Sequence, residues 1–504
     1  MTNENWILPE LPKGWLWTDF ESISRELKAG GTPLTKVKEY YDDGTIPFVK
    51  IEDIVDSSKY LYDTKTKITE QGLRNSSAWL VPRDSLLYSM YASYGEPIIN
   101  KIEVTTSQAI IAYVPPEGRI VLDFVYYYLK KARNELTTRG TTQKNLNAQI
   151  VRRIPIPLAP FSEQVRIVAR LEELFTRLDA GVEELRKVKA QLNRYRQAVL
   201  KYAFEGKLVP QDPHDEPVTE LLKKTRAEKE ELARERKIRK EKSPPPISEE
   251  EMPFEVPKGW VWVRLIDLIA LEKNAMKRGP FGGSLKKEIF VKKGYLVYEQ
   301  RHAIHNDFNY EKYFITPQKY EEMIAFKVES GDLIISCSGV TLGKISEIPK
   351  NARKGIINQA LLKISLNNRL IRNDFFINFF NSDIYQKEIF EKAQGSAIPN
   401  MVGVDELKKT LIVVPPLKEQ GRIVSAVNYH FSLISNANKI VESGVRQSNQ
   451  LRQAILKVAF AGKLVSQNPN DEPAEKLLQR IKAERTSYWK SKIDNQLEMS
   501  RFVQ

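Results

Sequence analysis

A 22-residue segment occurs twice in this chain of 504 residues. Residues 196–217 read RQAVLKYAFEGKLVPQDPHDEP and residues 452–473 read RQAILKVAFAGKLVSQNPNDEP, so 16 of 22 positions are identical at a spacing of 256. An internal repeat constrains the fold because both copies are expected to adopt the same local structure. The sequence therefore predicts one structural frame that is built twice.

Two shorter pairs of segments complete the repeat. PFSEQVRIV at 160–168 matches PLKEQGRIV at 416–424, again at a spacing of 256, and ELPKGWLW at 10–17 matches EVPKGWVW at 255–262. The inserts between these markers differ in length and in most of their residues. A repeated frame with variable contents predicts two different recognition elements on one scaffold.

The composition is that of a multidomain globular protein. The length exceeds what one hydrophobic core usually organises, no run reaches the roughly 18 apolar residues of a membrane span, and the first residues have no secretion-signal pattern. Cys337 is the single cysteine, which excludes an internal disulfide and a cysteine-based zinc site and favours a reducing cytoplasm. The net charge of +14 is spread along the chain, so charge alone leaves nucleic-acid binding open.

Both inserts mix strand patterns with helical patterns. The first contains the β-like runs TIPFVKI and QAIIAYVP and the helical run DFVYYYLKKA. The second contains GYLVYEQ and GDLIISCSG and the helical run NDFFINFFNSDIYQKEIF. Short strands interleaved with helices and Gly/Pro turns predict a compact α+β domain for each insert.

The segments that follow the inserts have the pattern of a coiled coil. Apolar residues recur from residue 168 at alternating steps of three and four, and a matching series lies 256 positions later. A helix over residues 162–204 would be about 65 Å long and too exposed to be stable alone, so the two long helices are expected to pair. The seam positions are Val168, Leu171, Phe175, Leu178, Val182 and Leu185 in the first helix and Val424, Val427, Phe431, Ile434, Asn438 and Val441 in the second.

Local signals support these helix ends. Ser162 followed by the acidic Glu163 is a favourable helix start, and Gly206 and Gly462 are favourable stops. Asn438 has two interpretations: it fixes the register of the coiled coil, or it lies at the edge of the seam.

A charged stretch connects the two copies. Residues 219–242 are almost entirely charged after Leu222, and SPPPISEEE follows them. This composition predicts a solvated helix that leads into a stiff extended linker. A basic arm that touches DNA is the alternative.

Antiparallel pairing of the long helices would place the inserts at opposite ends of the frame, related by an approximate two-fold axis. Proteins with two-fold symmetry read DNA half-sites in inverted orientation. Because these inserts differ, the half-sites would differ as well. A rod of about 65 Å matches about 19 base pairs, which bounds the separation of the two readers.

The markers occur in the same order in both copies of the repeat. Together they resemble the DNA-specificity subunit of type I restriction-modification systems over nearly the full chain. The carrying segments are LPKGW and VPKGW, GGTPLTKVKEYYDDGTIPFVKIEDI from Gly30, GPFGGSLKKEIFVKKGYLV from Gly279, the two PxxEQxRIV helix starts and the paired RQAxLKxAFxGKLV segments. The resemblance implies an α+β protein with two globular target-recognition domains joined by two long helices that pair as an antiparallel coiled coil. The implied division is a first recognition domain at 1–160, a first long helix at 161–206, a charged helix and Pro-rich linker at 207–250, a second recognition domain at 251–416, a second long helix at 417–463 and a C-terminal tail or helix at 464–504.

The resemblance also implies partners. The chain would be a non-catalytic subunit that binds double-stranded DNA at a bipartite, asymmetric site, with one half-site for each recognition domain. Two modification (methyltransferase) subunits would dock on the helical frame, and restriction and motor subunits would join the larger complex. S-adenosylmethionine, ATP and Mg²⁺ would belong to these partners, with no cofactor and no metal in this chain.

A non-catalytic subunit should lack catalytic motifs of its own. The Asn or Asp followed by Pro-Pro and an aromatic residue that amino-methyltransferases use is absent from the sequence. The phosphate-loop lookalike SGVTLGKI at 338–345 lacks the first glycine and the Ser or Thr that would hold Mg²⁺. His302 and His305 lack a third metal ligand, and Cys337 without a nearby base is expected to be a buried apolar residue.

Base edges in the major groove are distinguished by polar and basic side chains on loops. Loops of both inserts that are rich in tyrosine and glycine contain polar and basic residues of this kind. The candidate DNA contacts are Thr32, Lys36, Tyr91, Ser93, Tyr94, Arg139, Thr141, Thr142, Gln143 and Lys144 in the first insert and Lys277, Arg278, Ser284, Lys286, Gln300, Arg301, His302, Ser338, Thr341, Lys344, Ser396 and Asn400 in the second.

Two other functions remain open at this point. One is an RNA-binding or protein-assembly scaffold that uses the coiled coil without DNA specificity. The other is a nucleotide-dependent enzyme whose loop is SGVTLGKI.

Overall fold

The computed structural model describes residues 8–90, 95–138, 147–238, 245–338, 341–391 and 401–501. The chain forms two compact units. Unit 1 consists of Met1–Leu185 with Glu442–Gln504, and unit 2 consists of Arg186–Val441. Each unit therefore combines one insert with parts of both copies of the repeat.

The elements alternate between strands and helices within each insert, and long helices follow each insert. The α-helices are α1 Ile51–Asp56, α2 Glu70–Arg74, α3 Leu122–Thr138, α4 Ala148–Arg152, α5 Phe161–Phe204, α6 Val218–Arg234, α7 Gln300–His305, α8 Pro317–Glu322, α9 Asn373–Phe380, α10 Asp383–Glu391, α11 Val404–Leu407, α12 Leu417–Phe460 and α13 Ala474–Arg501. The strands are β1 Leu16–Asp19, β2 Glu26–Ala29, β3 Ile46–Val49, β4 Tyr60–Leu61, β5 Thr66–Ile68, β6 Ser85–Ser89, β7 Pro97–Asn100, β8 Thr105–Thr106, β9 Ile110–Val114, β10 Pro155–Leu158, β11 Val261–Arg264, β12 Met276–Arg278, β13 Tyr295–Tyr298, β14 Phe314–Ile315, β15 Lys327–Val328, β16 Leu333–Ser336, β17 Ile345–Glu347, β18 Gly355–Ile357, β19 Leu361–Ile364 and β20 Leu411–Val414.

Unit 1 is built around a five-stranded sheet of order β2-β9-β6-β7-β4, beside a three-stranded sheet of order β5-β3-β8. Strands β6 and β9 are buried at every position, as expected for near-continuous apolar runs in the centre of a sheet. A two-stranded ribbon of β1 and β10 closes the ends of the insert. Helix α3 packs the aromatic residues Phe124 and Tyr128 into the core that the sheet shares with the long helices.

Unit 2 repeats this plan with different strands. Its sheets have the orders β12-β19-β16-β17 and β14-β13-β18-β15, and a ribbon of β11 and β20 closes the insert. Helix α9 contributes four fully buried phenylalanines to the largest core cluster, which also contains the end of α5 and the start of α12. The mixed α+β fold predicted for both inserts is confirmed.

The long helices pair antiparallel within each unit. In unit 1, a Cβ on Gly444 would lie 2.9 Å from Leu185 Cδ1. Arg452, about two turns later in α12, lies 4.4 Å over the ring of Phe175 and pairs with Asp179. In unit 2, the end of α5 and the start of α12 share one core cluster. Helices α5 and α12 each have 44 residues, so the predicted long paired helices are confirmed.

All twelve predicted seam residues are at least partly buried. Leu171, Phe175, Val424, Val427, Ile434 and Val441 are buried, and Val168, Leu178, Val182, Leu185, Phe431 and Asn438 are half-buried. Within the described part of the chain, Asn438 Oδ1 is buried without a hydrogen-bond partner.

Each unit is closed by an ion pair that joins the two copies of the repeat. In unit 1, Arg166 near the start of α5 binds Asp471 beyond the end of α12, with 2.6 Å between Nη2 and Oδ2. In unit 2, Arg422 near the start of α12 binds Asp215 beyond the end of α5, also at 2.6 Å. The same marker residues therefore meet in both units, but each partner comes from the other copy.

The LPKGW-type segments dock on the helix starts through tryptophan. Trp15 Nε1 donates a hydrogen bond to Glu163 Oε2 at 3.0 Å, and Trp260 Nε1 donates to Glu419 Oε2 at 2.9 Å. Both carboxylates are almost fully buried, so burial raises the pKa of each carboxyl above its ordinary value, opposed by the tryptophan hydrogen bond and the nearby arginine. This contact explains why the markers recur together.

The neighbouring glutamines hold the inserts through the backbone alone. Gln164 accepts a hydrogen bond from Val121 N at 3.0 Å and donates to Ala159 O at 2.9 Å. Gln420 accepts from Arg372 N at 2.8 Å and donates to Leu370 O at 2.9 Å. Because no side chain of the insert takes part in these bonds, the frame can hold inserts of different sequence.

The predicted helix stops are confirmed. Gly206 and Gly462 follow the last residues of α5 and α12 with φ of 71° and 66°. A Cβ would also lie 2.3 Å from Pro257 Cγ at the first position and 2.2 Å from Pro12 Cγ at the second, so glycine is required for the turn and for the contact.

The charged connection after α5 is only partly as predicted. Helix α6 forms, but Val218, Leu222 and Thr225 are buried, and Arg226 pairs with Asp267 at 2.8 Å. The helix is therefore packed along one face rather than solvated all round. Helix α13 has the corresponding position in unit 1, where Leu477 and Ile481 are buried.

Candidate nucleic-acid interface

Several predicted contacts of unit 2 lie at one end of a sheet. Arg278, the last residue of β12, is opposite Leu362, and Ser336, the last residue of β16, is opposite Leu361 on the strand between them. The β16–β17 hairpin opens at the same end, where Ile335 pairs with Ile345. The loop after β12 and the loop before β17 therefore emerge side by side.

Helix α7 adds its first turn to this end of the sheet. Gln300 Nε2 donates hydrogen bonds to Ser338 O at 2.8 Å and to Ser338 Oγ at 3.0 Å. Next to it, Arg301 is exposed and lies 4.5 Å over the ring of Tyr310, with Asp307 at 3.7 Å. Three stretches that are far apart in sequence thus form one polar surface, which we call the unit 2 reading edge: the loop after β12, the start of α7 and the β16–β17 loop.

The basic residues of this edge differ in their exposure. Lys286, Thr341 and Lys344 are exposed. Arg278 is half-buried, lies 5.4 Å from the ring centroid of Phe281, and its buried Nε has no hydrogen-bond partner among the described residues. A guanidinium at the end of a strand, beside a loop, is suited to phosphate or to the acceptor edge of guanine.

The remaining unit 2 candidates in β12 and on the loop after it have local partners. Lys277 lies 5.4 Å from the centroid of the Phe326 ring, and Ser284 Oγ donates to Phe281 O at 3.2 Å. The hydrogen bond of Ser284 lies within the loop, and Ser284 stays exposed.

His302 does not belong to the reading edge, although it was predicted there. It lies inside α7, is fully buried, and its Nε2 is 2.8 Å from Tyr310 O while Nδ1 is 2.9 Å from Glu299 N. Both ring nitrogens are therefore used inside the fold, and neither faces solvent. The residue type suggested a polar loop position, but the ring supports the turn of α7 instead.

Unit 1 has a corresponding edge. The loop after β2 leaves next to Ala29, which pairs with Ile111, and the β6–β7 hairpin leaves next to Ser89, which pairs with Ile110. Thr32 and Lys36 lie on the first of these loops; Thr32 is half-buried and Lys36 is exposed. The ends of β2 and β6 therefore both lie next to the start of β9, just as the ends of β12 and β16 lie next to the start of β19 in unit 2.

Several predicted contacts lie outside the described residues. They are Tyr91, Ser93, Tyr94, Arg139, Thr141, Thr142, Gln143, Lys144, Ser396 and Asn400.

A clamp between the first insert and α5 was not predicted. Lys59 pairs with Asp123 at 2.6 Å and with Glu172 of α5, and its Nζ lies 4.7 Å from the centroid of the Tyr127 ring. Burial alone would lower the pKa of Lys59, but the two carboxylates raise it well above its ordinary value. No spacing or motif marks these residues, because their contacts are set by the tertiary fold.

The described residues contain no group of His, Cys, Asp and Glu that could hold a metal ion. Cys337 is fully buried, as predicted, and burial raises the pKa of its thiol to about 12. Residues 339 and 340 of the phosphate-loop lookalike lie outside the described residues. Its other residues belong to the β16–β17 turn, except Ile345, which begins β17. Among the described helices, none is long and apolar enough to cross a membrane.

Comparisons with known proteins agree with this architecture. A family model described as type I restriction modification DNA specificity domain matches residues 22–190 and 257–443. The EcoAI specificity subunit of a type I restriction enzyme from Escherichia coli is 26% identical, over 86% of this chain and 79% of that protein. The EcoKI specificity subunit from Escherichia coli strain K12 is 21% identical, over 95% of this chain and 97% of that protein.

A solved structure, reported for complex assembly and conformational transition of the type I R-M system, has a chain with the same fold. Its TM-score is 0.58 at 18% sequence identity, over 90% of this chain and all of that chain. The family model covers most of the chain in two copies, one in each insert and its following helix. This chain belongs to the family of type I restriction-modification DNA specificity subunits.

Proposed function

We propose that this chain reads a bipartite, asymmetric DNA site for a type I restriction-modification complex, one half-site for each unit. The observation that carries the proposal is the contrast between equivalent frames and different reading edges. The closing ion pairs Arg166–Asp471 and Arg422–Asp215 are equivalent and equally short, while the residues on the two edges have little in common. Identical supports with unlike surfaces suit two readers with unlike targets.

The recognition domains in this proposal are residues 1–160 and 251–416. Arg278, Arg301, Lys286 and Lys344 would contact the second half-site, and Thr32 and Lys36 the first. Arginine is favoured for reading guanine because its fork of donors matches O6 and N7. The candidates outside the described residues remain predictions of the same kind.

The helical frame would dock the two modification subunits, and its two halves differ in chemistry. Residues 425–438 of α12 contain no Asp, Glu, Lys or Arg, whereas the equivalent residues 169–182 of α5 contain five. Tyr429, Leu433 and Ile440 are 64%, 49% and 71% exposed along one face of α12. An apolar helix face of this kind suits a partner helix, so we place one docking site on it.

Catalysis would reside in the partners. The modification subunits would bind S-adenosylmethionine, and the restriction and motor subunits would use ATP and Mg²⁺. This division leaves the chain with recognition and assembly, and the cytoplasm with its DNA is the expected location.

Methylation mapping of genomic DNA tests the proposal. Cells that express the modification subunits with this chain should carry one bipartite methylated motif that disappears when the chain is deleted. The same set of methylated motifs with and without the chain would overturn the proposal. ATP turnover by the purified chain alone would favour a nucleotide-dependent enzyme instead.

A further inference from the structure

The loops after β2 and β12 start in the same way, although their sequences have diverged. Gly30 N donates to Ile110 O at 3.0 Å, and Gly279 N donates to Leu361 O at 2.9 Å. A Cβ would lie 2.1 Å from Thr106 O at Gly30 and 1.8 Å from Asn358 O at Gly279, far inside van der Waals contact. Glycine is therefore needed at both positions, because only a residue without Cβ lets the start of each loop lie so close to the backbone that precedes the neighbouring strand.

Beyond this glycine, each loop exposes one large apolar side chain. Leu34 is 68% exposed and Phe281 is 70% exposed. Backbone oxygens hold both loops in place, because Tyr41 Oη donates to Pro33 O at 2.7 Å and Ser284 Oγ donates to Phe281 O at 3.2 Å. The apolar side chains are thus presented by ordered loops.

A single exposed apolar residue is ordinary on a protein surface. Leu34 and Phe281 differ from this ordinary case because an exposed apolar residue occurs on the equivalent loop in both units, although the two inserts share few residues. Leu34 has no counterpart in sequence at Phe281, and only its placement is common. A shared placement with a changed residue indicates a shared task.

The surroundings of both residues suit nucleic acid. Lys36 is exposed two residues after Leu34, and Lys286 is exposed on the loop that carries Phe281. The guanidinium of Arg278 lies 5.4 Å from the centroid of the Phe281 ring. Proteins that kink DNA insert apolar side chains such as leucine or phenylalanine between base steps, and Lys and Arg neutralise DNA phosphates.

We propose that Leu34 and Phe281 are wedges that enter the base stack, one in each half-site. This inference rests on the proposed DNA-reading function and adds a deformation of the DNA to it. Each wedge would separate one base step, so that steps which unstack easily would be favoured at positions without hydrogen-bonded base contacts.

The test uses the complex of this chain with its modification subunits and a duplex that carries the mapped methylation motif, with 2-aminopurine at successive positions. Apart from the target bases that the modification subunits flip out of the stack, the unaltered complex should raise 2-aminopurine fluorescence at one step in each half-site. Phe281→Ala should remove the signal in one half-site and Leu34→Ala the signal in the other, each with about tenfold weaker binding. Phe281→Leu should retain most of the signal, because leucine also serves as a wedge.

Matched controls are Ile324→Ala in unit 2 and Val55→Ala in unit 1, which are 41% and 60% exposed apolar residues outside the loops after β12 and β2. They should leave fluorescence and binding unchanged. Absence of any fluorescence change with the unaltered complex bound, or a signal that both alanine variants retain, would overturn the wedge. Failure of the unaltered complex to bind the mapped duplex would instead overturn the proposed function.

Discussion

Arg166 and Asp471 lie 305 positions apart in the sequence and 2.6 Å apart between Nη2 and Oδ2. Asp471 is almost fully buried, and Arg166 is about one third exposed. The ion pair raises the pKa of Arg166 above its ordinary value. This contact ties the first helix start to the end of the second copy of the repeat.

Asp471→Ala should therefore destabilise unit 1. It leaves the guanidinium without its buried partner, at a cost of about 1–3 kcal/mol in the free energy of unfolding. Urea unfolding measures this change. Glu173→Ala is the matched control, because its ion pairs with Arg170 and Arg177 are exposed on both sides and should contribute little to the free energy of unfolding. Equal losses in the two variants would contradict the role of the closing ion pair.

Glu163→Gln should change the pH dependence of stability. Because burial raises the pKa of Glu163, its contribution to stability is fully present below the ordinary pKa of the carboxyl and is lost as the pH rises through the raised value. Glutamine keeps the acceptor for Trp15 and cannot ionise. Melting temperatures should be measured from about pH 4 to 8, which spans the ordinary pKa of a carboxyl and values above it. They should show a smaller decrease with pH in the variant than in the unaltered chain. Glu419→Gln should behave in the same way. A slope unchanged in both variants would contradict this reasoning.

Leu178→Asp should impair the frame and the assembly of the complex. Leu178 is half-buried against the core that α5 shares with α12, and burial of a leucine is worth about 1.5–3 kcal/mol. Thermal unfolding and size-exclusion chromatography with the modification subunits measure both effects. Thr176→Asp, an exposed position two residues away, introduces the same charge and should be tolerated. Normal assembly of the Leu178 variant would count against the seam.

Arg301→Ala should weaken target binding and leave assembly intact. The side chain is 53% exposed on the unit 2 reading edge, and loss of a good base contact costs about 1–3 kcal/mol. Binding of the complex to the mapped duplex measures this loss. His302→Ala provides the contrast: the neighbouring ring is buried, so its removal should lower the melting temperature first. The opposite pattern would reverse the assignments of the two residues.

The triple change Tyr429→Glu, Leu433→Arg and Ile440→Glu should remove one modification subunit. It gives α12 the residues that α5 has at the equivalent positions, Glu173, Arg177 and Glu184, on a face where all three original residues are exposed. The chain should therefore still fold. Native mass spectrometry should show complexes with one modification subunit in place of two. Complexes that keep two modification subunits, and that resist dissociation by salt as well as the unaltered complex does, would argue against docking on this face.

The long helices were predictable because their signals are local and repeated. The seam spacing can be recognised within one helix, and the glycine stop at Gly206 within one turn. Both signals occur in both copies of the repeat. The partner of Arg166 was not predictable, since nothing in the sequence selects Asp471 from the other acidic residues. His302 was assigned wrongly because residue type does not report burial, and Lys59 was missed because its partners meet only in the tertiary fold.

The hydrogen bonds of Gln164 and Gln420 have a consequence for how such proteins evolve. Both glutamines bind the peptide groups of their inserts, and a peptide group is the same whatever side chain it carries. A recognition insert exchanged for another by recombination at the flanking markers would meet the same grip without compensating mutations in the frame. New DNA targets could then spread between lineages as whole cassettes, inherited in one step rather than refined residue by residue.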